Sequence, residues 1–258
     1  MSRRSPKPPI WTQPAPGSRR PKLTRDQIAQ LAVAIADAEG IEAVSMRRLS
    51  EELGVATMTL YYYVRTKEDL VSLMSDAIMG EMVVDDDDLH AGDWRGGLAT
   101  IARRGRAVML RHPWALTSLQ GARMGPHGLA HVEQSLQVMH GGPFDIAANV
   151  AINTIIDDYV HGHVQRSIEG FPVTDAAAHQ TINEFTAAQL ESGRYPRLSA
   201  LLAGDEPVVA MARISRWITD DERFEVGLVA LIDGLAAHFA THDKKAAWTR
   251  KAPPRKPR

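Results

Sequence analysis

Residues 45–67, SMRRLSEELGVATMTLYYYVRTK, constrain the fold of this chain more than any other segment. Leu49 and Leu53 lie four residues apart and give a short helix one apolar face, and Gly54 supplies the backbone freedom for a sharp turn. A second short helix follows and ends in three consecutive tyrosines. Two short helices around a tight turn are the outline of a DNA-reading helix-turn-helix, in which the second helix lies in the major groove.

Capping signals on both sides of this stretch predict further helices. Thr24 with Gln27 three residues later fits a capping box, and Gly40 is a suitable C-cap for the helix that begins there. Thr66 has the same N-terminal signature and begins a fourth helix with apolar residues at helical spacing. The sequence therefore predicts a helical domain over residues 23–83 that is built around the helix-turn-helix.

Charge is unevenly distributed along the chain, although its net value is only −1. Residues 1–22 carry six basic side chains, six prolines and no acid, which predicts a disordered basic arm. Residues 244–258 have a similar composition and are predicted to form a disordered basic tail. Residues 23–83 hold five basic and ten acidic side chains. We hypothesise that the arm supplies positive charge that the helical domain lacks, because phosphate neutralisation provides most non-specific DNA affinity.

Composition excludes several classes of protein. The chain has no cysteine, so disulfides and thiolate metal sites are absent. No apolar run approaches the roughly 18–20 residues that span a bilayer, and the basic start lacks the apolar stretch of a secretory signal. The four aspartates at residues 85–88 lack EF-hand spacing and are interpreted as a solvated linker. We expect a cytoplasmic protein with no membrane association, metal or cofactor.

A second, all-helical domain is predicted over residues 93–243. Its apolar periodicity predicts helices over residues 93–111, 113–120, 128–139, 144–169, 176–191, 207–216 and 221–242. The predicted fold is thus all-α, with an N-terminal three-helix helix-turn-helix DNA-binding domain joined to a C-terminal helical bundle.

Two helices of this bundle are candidates for a dimer interface. In the last helix, Gly227 and Gly234 lie seven residues apart, and small residues at that interval allow another helix to approach closely. The helix over residues 144–169 carries an apolar-to-aromatic face made of Ile152, Ile155, Ile156, Tyr159 and His163. The alternative for the last helix is packing inside the monomer core.

These motifs resemble the tetracycline repressor (TetR) family of transcriptional regulators. The resemblance is carried by the capped first helix, LSEELGV at 49–55, TLYYY at 59–63 and KEDL at 67–70. The segment FEVGLVALIDGL at 224–235 is also similar to the final helix of TetR-type C-terminal domains, which forms a four-helix dimer interface. The resemblance implies a repressor that binds a palindromic double-stranded DNA operator as a homodimer and is released by a small-molecule effector.

The resemblance also implies which residues contact DNA, namely the start of the second helix, the third helix and the start of the fourth. In this sequence they are Ser45, Met46, Arg47, Thr57, Met58, Thr59, Tyr61, Tyr62, Tyr63 and Lys67. Arg47 suits a guanine or a phosphate, and tyrosine hydroxyls suit phosphate oxygens. The alternative is that Arg47 is a solvated charge and that Tyr61 and Tyr63 are packing residues. Ala56 stands where the family often has a capping side chain, so the third helix is expected to begin at Thr57.

An effector would bind between helices of the second domain. Candidate ligand-binding residues are Met109, His112, Trp114, Met124, Asn153, Asp157, Phe185 and Trp217, with Leu116 and Met139 as further walls. Methionine and tryptophan suit a largely apolar ligand, because thioethers adapt their shape. Asn149, Asn153, Asp157 and His161 form a polar stripe, which is a ligand contact, a seam between subunits or a solvated face. Asp157 and His161 alone are too few ligands for a metal.

Two other functions compete with this interpretation. One is a DNA-binding dimer that acts without any effector, and the other is an all-helical enzyme. No nucleophile elbow, glycine-rich phosphate loop or HExxH motif is present, so no catalytic residue is predicted.

Overall fold

The computed structural model describes residues 8–13, 23–89, 92–118, 122–140, 142–170, 176–202 and 205–242. Over these ranges every regular element is helical and no β-strand occurs, so the predicted all-α fold is confirmed. The α-helices are α1 Arg25–Glu39, α2 Met46–Glu52, α3 Thr57–Tyr63, α4 Lys67–Met82, α5 Trp94–Arg111, α6 Ala115–Ser118, α7 Pro126–Met139, α8 Ile146–Glu169, α9 Ala176–Glu191, α10 Pro196–Leu202, α11 Pro207–Ile218 and α12 Asp221–His242.

The N-terminal helices begin where local capping dictates. Thr24 and Gln27 form a reciprocal capping box at the start of α1, in which the Thr24 hydroxyl accepts from the Gln27 amide at 3.1 Å. Ser45 and Thr66 each cap their helix, α2 and α4, through a side-chain hydroxyl. α3 begins at Thr57 as expected and has no side-chain cap.

A single apolar core holds α1 to α4 together. α1 lies along α4, and Ile28, Leu49 and Leu60 are fully buried between the helices. Gly54 has a φ of 62°, a left-handed value that favours glycine, and it allows the sharp turn from α2 into α3. This arrangement is a helix-turn-helix in which α3 is the second, recognition helix.

Residues 8–13 form an ordered segment, which we call the N-terminal strap. It contains a 3₁₀ turn at Ile10–Thr12 and lies against α4, with Ile10 only 1% exposed. The Arg25 guanidinium donates from Nη1 to the main-chain oxygens of Ile10 and Gln13 at 2.9 and 3.1 Å. The predicted disordered arm is therefore wrong over these six residues, because apolar burial and charged hydrogen bonds offset the entropy of ordering them.

The remaining parts of both basic segments, residues 1–7, 14–22 and 243–258, lie outside the described ranges. The aspartate run forms an exposed 3₁₀ turn, Asp86–Asp88, in the connection between α4 and α5.

The second domain is a bundle in which α8 is the central helix. α8 packs along α5 and α12, and α7 packs against α4 and α5. α9, α10 and α11 pack mainly on one another, and α11 joins them to α12. The sequence did not predict α10. Its first residue is Pro196 and most of its side chains are exposed, so apolar residues do not recur there at a clear helical spacing. Predicted helices otherwise coincide with observed ones to within a few residues, although residues 119–121, which include the end of the predicted 113–120 helix, are not described.

α4 belongs to both domains. Its Asp76 carboxylate accepts hydrogen bonds from the main-chain amides of His127 and Gly128, both at 3.0 Å, and so caps the start of α7. Just after α4, the main chain of Val84 exchanges hydrogen bonds with the Gln134 side chain on α7. The helix that completes the helix-turn-helix core is thus fixed directly to the second domain. No helix in the described part of the chain is long and apolar enough to cross a membrane.

Candidate DNA-binding surface and ligand cavity

The outer face of the helix-turn-helix is formed by exposed side chains of α2 and α3. Met58 and Tyr62 lie one turn apart on α3 and are 70% and 71% exposed. The Arg47 side chain on α2 is 85% exposed and lies 3.9 Å from Glu51, which leaves it accessible. In helix-turn-helix proteins, the second of the two helices is the one that enters the major groove.

Four of the other predicted DNA contacts, Met46, Thr57, Thr59 and Tyr63, are half-buried, whereas Ser45 is exposed. Thr57 is half-buried, with its hydroxyl 2.9 Å from that of Ser50, and Thr59 is also half-buried. The Ser45 hydroxyl accepts from the Arg48 amide, and Met46 packs partly against the core. Tyr63 packs partly against the same core, which agrees with the alternative that Tyr63 is a packing residue.

Positive charge on this surface is concentrated at the start of α4. Tyr61, Arg65 and Lys67 line a groove between α4 and the segment that precedes α2, and all three are exposed. Arg48 is less available to a phosphate, because it pairs with Glu39 at 2.9 Å and with Glu52 at 3.0 Å. Arg65 and Lys67 are therefore suitable phosphate ligands beside the recognition helix.

A polar cluster joins the DNA-binding domain to the second domain. His112 follows α5 and is 3% exposed, with Nδ1 2.7 Å from an Asp37 oxygen and Nε2 3.2 Å from a Glu81 oxygen. Trp114 donates from Nε1 to the same Asp37 oxygen at 2.7 Å, and Arg111 pairs with Glu81 at 2.7 Å. His112 and Trp114, which were predicted ligand contacts, thus lie at this domain junction.

A cavity of about 280 Å³ lies between α4, α5, α7 and α8. Three of the predicted ligand residues, Met109, Met124 and Asp157, line it together. Leu116 lines a smaller adjoining cavity of about 210 Å³, which also shares Met109. Met139 is fully buried in the core.

The remaining predicted ligand residues lie elsewhere. Asn153 is half-buried on α8, and its side chain donates to the main-chain oxygen of Asn149 at 2.9 Å. Phe185 on α9 and Trp217 on α11 are exposed, and the Arg223 guanidinium lies 4.8 Å from the centre of the Trp217 ring. None of the three lines the cavity between α4, α5, α7 and α8.

Several lining residues were missed by sequence reasoning. They are Met79 and Met82 on α4, His131 and Val132 on α7, and His161 on α8. The methionines fall within the segment assigned to the DNA-binding domain, so no pattern in the sequence placed them beside a ligand. The sequence places His161 in the polar stripe and four residues after Asp157, a spacing that puts both side chains on one face of α8 and is the signal that could have identified it.

Burial perturbs the ionisable groups of this cavity. It raises the pKa of the Asp157 carboxyl, an effect that the nearby His161 opposes and Asp158 reinforces. It lowers the pKa of His131, which favours the uncharged imidazole. In the described residues no three His, Asp or Glu side chains stand close enough to hold a metal ion.

The outer faces of α8 and α12 expose apolar side chains. Val150 on α8 and Val226 and Val229 on α12 are about half exposed, with values of 51%, 55% and 50%. The two glycines of α12 differ, because a Cβ at Gly227 would collide with the Tyr159 hydroxyl of the same chain, whereas a Cβ at Gly234 would meet nothing. Of these two glycines, only Gly234 therefore has open space beside it for another helix.

An exposed recognition helix and a cavity that shares helix α4 with the DNA-binding domain together define a DNA-binding transcriptional regulator of the ligand-responsive repressor class. The comparisons with known proteins agree. Residues 28–74 match the family model described as bacterial regulatory proteins, tetR family, and residues 87–239 match the tetracyclin repressor-like C-terminal domain. The chain belongs to the tetR family.

Relatives and solved structures extend this result over most of the chain. The HTH-type transcriptional repressor DrrR1 of Streptomyces coeruleorubidus is 34% identical over 242 residues, which cover 92% of this chain and 87% of the relative. Apo ActR from Streptomyces coelicolor is similar in fold, with a TM-score of 0.65 and 23% identity over 86% of this chain and 99% of ActR. ActR in complex with actinorhodin has a TM-score of 0.61 and 24% identity, over 84% and 98% of the two chains.

Proposed function

We propose that this protein binds a palindromic operator as a homodimer and releases it when a small, largely apolar molecule fills the cavity between α4, α5, α7 and α8. The observation that carries this proposal is the double role of α4. Its C-terminal half supplies Met79 and Met82 to the cavity wall, whereas its N-terminal end carries Lys67 beside the recognition helix. A ligand that displaces the methionines acts on the same rigid element that positions α3.

The relatives support both parts of this function. DrrR1 carries the name of a transcriptional repressor, and ActR has been crystallised with actinorhodin bound. The cavity favours an effector-gated protein over a constitutive DNA-binding dimer, because a dimer without an effector has no use for a ligand-sized space beside α4. The chain acts by binding and not by catalysis, and it acts in the cytoplasm, where its operator is.

The homodimer forms through α8 and α12. Val150, Val226 and Val229 would be covered by the same residues of a second copy, and Gly234 allows the two α12 helices to approach closely. Two recognition helices related by a twofold axis then match a palindrome whose half-sites lie about 34–36 Å apart.

The basic N-terminal arm contributes to operator affinity. Arg3, Arg4 and Lys7 directly precede the strap, and Arg25 joins the strap to the end of α3. Deletion of residues 1–7 removes these charges and leaves the strap in place. We expect weaker operator binding and a salt slope that is smaller by about 0.9 for each phosphate that the arm neutralises. An unchanged affinity and salt slope would show that the arm does not touch DNA.

The central experiment is footprinting on the DNA upstream of the protein's own gene, with and without compounds from a small-molecule panel. We expect protection of a palindrome and loss of protection with at least one apolar compound. Gly105 lines the cavity, and a Cβ there meets no other atom, so Gly105→Leu should fill the space and Gly105→Ala should leave most of it open. Gly105→Leu should bind operator but resist release, whereas Gly105→Ala should respond normally. Absence of any protected palindrome would sink the proposal.

A further inference from the structure

The ionisable side chains that line the cavity favour one sign of ligand charge. Asp76, His131, Asp157 and His161 line it, and neither Lys nor Arg is present among the lining residues that the structure describes. A ligand pocket usually complements its ligand in charge and hydrogen bonding. Among the described residues, the cavity therefore lacks a permanently positive side chain that would neutralise an anionic ligand.

The two carboxylates of the cavity differ in their hydrogen-bond and ion-pair partners. Asp76 already accepts two main-chain hydrogen bonds at the start of α7, and its second oxygen lies 3.2 Å from His127 Nδ1. The Asp157 carboxylate, in contrast, accepts no hydrogen bond and forms no ion pair with any residue in the described ranges. Its side chain lines the cavity and is accessible to solvent, while the surrounding protein partly desolvates the carboxyl. Asp157 is thus a partly desolvated carboxyl without a hydrogen bond or ion pair to the described residues, and the nearby His161 is the group whose positive charge would act on it.

The two imidazoles of the cavity leave room for a ligand that donates hydrogen bonds. His161 Nδ1 lies 2.9 Å from the main-chain oxygen of Asp157 and donates to it, which leaves Nε2 for a ligand. Burial lowers the pKa of His131, which favours its uncharged form in the cavity. The polar part of the cavity is consequently dominated by acceptors.

The rest of the cavity wall is apolar and adaptable. It consists largely of aliphatic and thioether side chains from α4, α5, α7 and α8, including Met79, Met82, Ile101, Met109, Val132 and Val160. Methionine sulfur and methyl groups adapt to flat or irregular hydrophobic bodies and make favourable contacts with aromatic rings. The site combines this surface with one unpaired carboxylate.

We propose that the effector is a hydrophobic amine, whose apolar body lies against the methionines and whose ammonium group pairs with the Asp157 carboxylate. This assignment rests on the proposed effector function of the cavity and specifies the chemistry of its ligand. It excludes carboxylates and phosphates as effectors, because their charge would be buried beside Asp157 without compensation.

Three probes with the same ring system test the assignment on the full-length protein at neutral pH. They are 2-naphthylmethylamine, 2-naphthalenemethanol and 2-naphthoate, which carry an ammonium, a neutral hydroxyl and a carboxylate. We expect the amine to bind about tenfold more tightly than the alcohol in calorimetric titration, a difference of about 1.4 kcal/mol. The carboxylate should bind most weakly.

Asp157→Asn should abolish the preference for the amine, because it keeps the side-chain shape and removes the charge. Asp158→Asn is the matched control, since Asp158 is the exposed neighbour that does not line the cavity. Asp157→Ser serves as a second variant, and circular dichroism establishes that each variant is folded. Equal affinities for amine and alcohol, a preference that survives in Asp157→Asn, tightest binding of naphthoate, or no binding by any probe would each overturn the assignment.

The same probes separate this inference from the proposed function. Release of operator DNA by a neutral hydrophobic compound, without any advantage for amines, would overturn the amine assignment and leave the effector mechanism intact. An amine preference that depends on Asp157, with no effect of any bound probe on operator affinity, would support the amine site and contradict effector-driven release.

Discussion

Arg25 donates a hydrogen bond from Nε to the main-chain oxygen of Tyr63, the last residue of the recognition helix, at 3.1 Å. Through Nη1 the same guanidinium binds the strap at Ile10 and Gln13. α3 spans only seven residues and has no side-chain N-cap, so its position depends on such tertiary contacts. One side chain of α1 thereby holds the strap and the end of the DNA-reading helix together.

Replacing Arg25 by lysine should loosen the recognition helix. A lysine ammonium cannot reproduce the planar fork that serves three carbonyl oxygens, so we expect a decrease of about 1–3 kcal/mol in unfolding free energy. Operator affinity should fall as well, because the end of α3 is no longer fixed. Urea denaturation and gel-shift titration measure the two effects. Arg197→Lys, at an exposed position on α10, should change neither.

Truncation of the Ile10 side chain should destabilise the protein as a core substitution does. Ile10 is buried where the strap packs on α4, so Ile10→Ala is expected to cost about 2–5 kcal/mol in urea unfolding. Pro8→Ala, in the same strap but exposed, should cost less than about 0.5 kcal/mol. Equal effects of the two substitutions would mean that the strap does not pack in solution as described.

Substitutions on the exposed face of the helix-turn-helix should weaken DNA binding without affecting the fold. We expect Tyr62→Ala to reduce operator affinity by about 1–3 kcal/mol, and Arg47→Ala to do the same while changing the salt dependence by about one unit if Arg47 binds a phosphate. Melting temperatures should stay unchanged, because both side chains are largely solvent-exposed. Tyr195→Ala, an exposed tyrosine far along the chain before α10, is the control.

A charge placed on the outer face of α12 should dissociate the dimer. Val229→Asp would bury an unpaired carboxylate between two copies, so the dimer dissociation constant should rise by at least about tenfold in analytical ultracentrifugation. Operator affinity should decrease in parallel, since a palindrome needs two recognition helices. Val209→Asp introduces the same charge at a similarly exposed position on α11 and should leave the dimer intact.

His163 should make the folded state sensitive to acid. Its ring is buried between Tyr159 and Phe224, and burial, followed by the charges of Arg106 and Arg166, lowers its pKa. As the pH falls below the ordinary histidine pKa of about 6.5, the unfolded chain takes up a proton before the folded chain does, so stability decreases. This contribution is fully present above that pH and is lost as the pH falls towards the folded-state value.

The variant His163→Gln should therefore flatten the decline in unfolding free energy between about pH 7 and pH 5. His140→Gln is the matched control, because His140 is exposed at the end of α7. A decline of the same steepness in wild type and in His163→Gln would show that other groups control the acid response.

The helical framework was predictable because its signals are local. Thr24, Ser45, Thr66 and Gly54 each act on neighbouring residues, and their caps and turn occur where the sequence places them. The same holds for the start of α3 at Thr57. Local hydrogen bonds and backbone preferences are sufficient to predict where these helices begin and turn.

The strap and the cavity depend on contacts between distant residues and were not predictable in this way. The many prolines and basic residues of the first 22 positions predict disorder, and the two apolar residues Ile10 and Trp11 are too few to change that prediction. The strap is nevertheless fixed, because Ile10 is buried against α4. Met79 and Met82 have the periodicity of an ordinary core face, and only the packing of α4 on α7 makes them walls of a cavity. His112 and Trp114 resembled ligand contacts but serve the junction with Asp37 instead.

The shared position of α4 has a consequence for the engineering of hybrid regulators. A chimera that exchanges residues 1–83 between two relatives would transplant Met79 and Met82 together with the DNA-reading helices, and it would separate Asp76 from its own α7. Such a hybrid would change its inducer preference along with its operator preference. Independent retargeting requires a graft that stops before the second half of α4 and leaves Asp76 and the residues after it with the host.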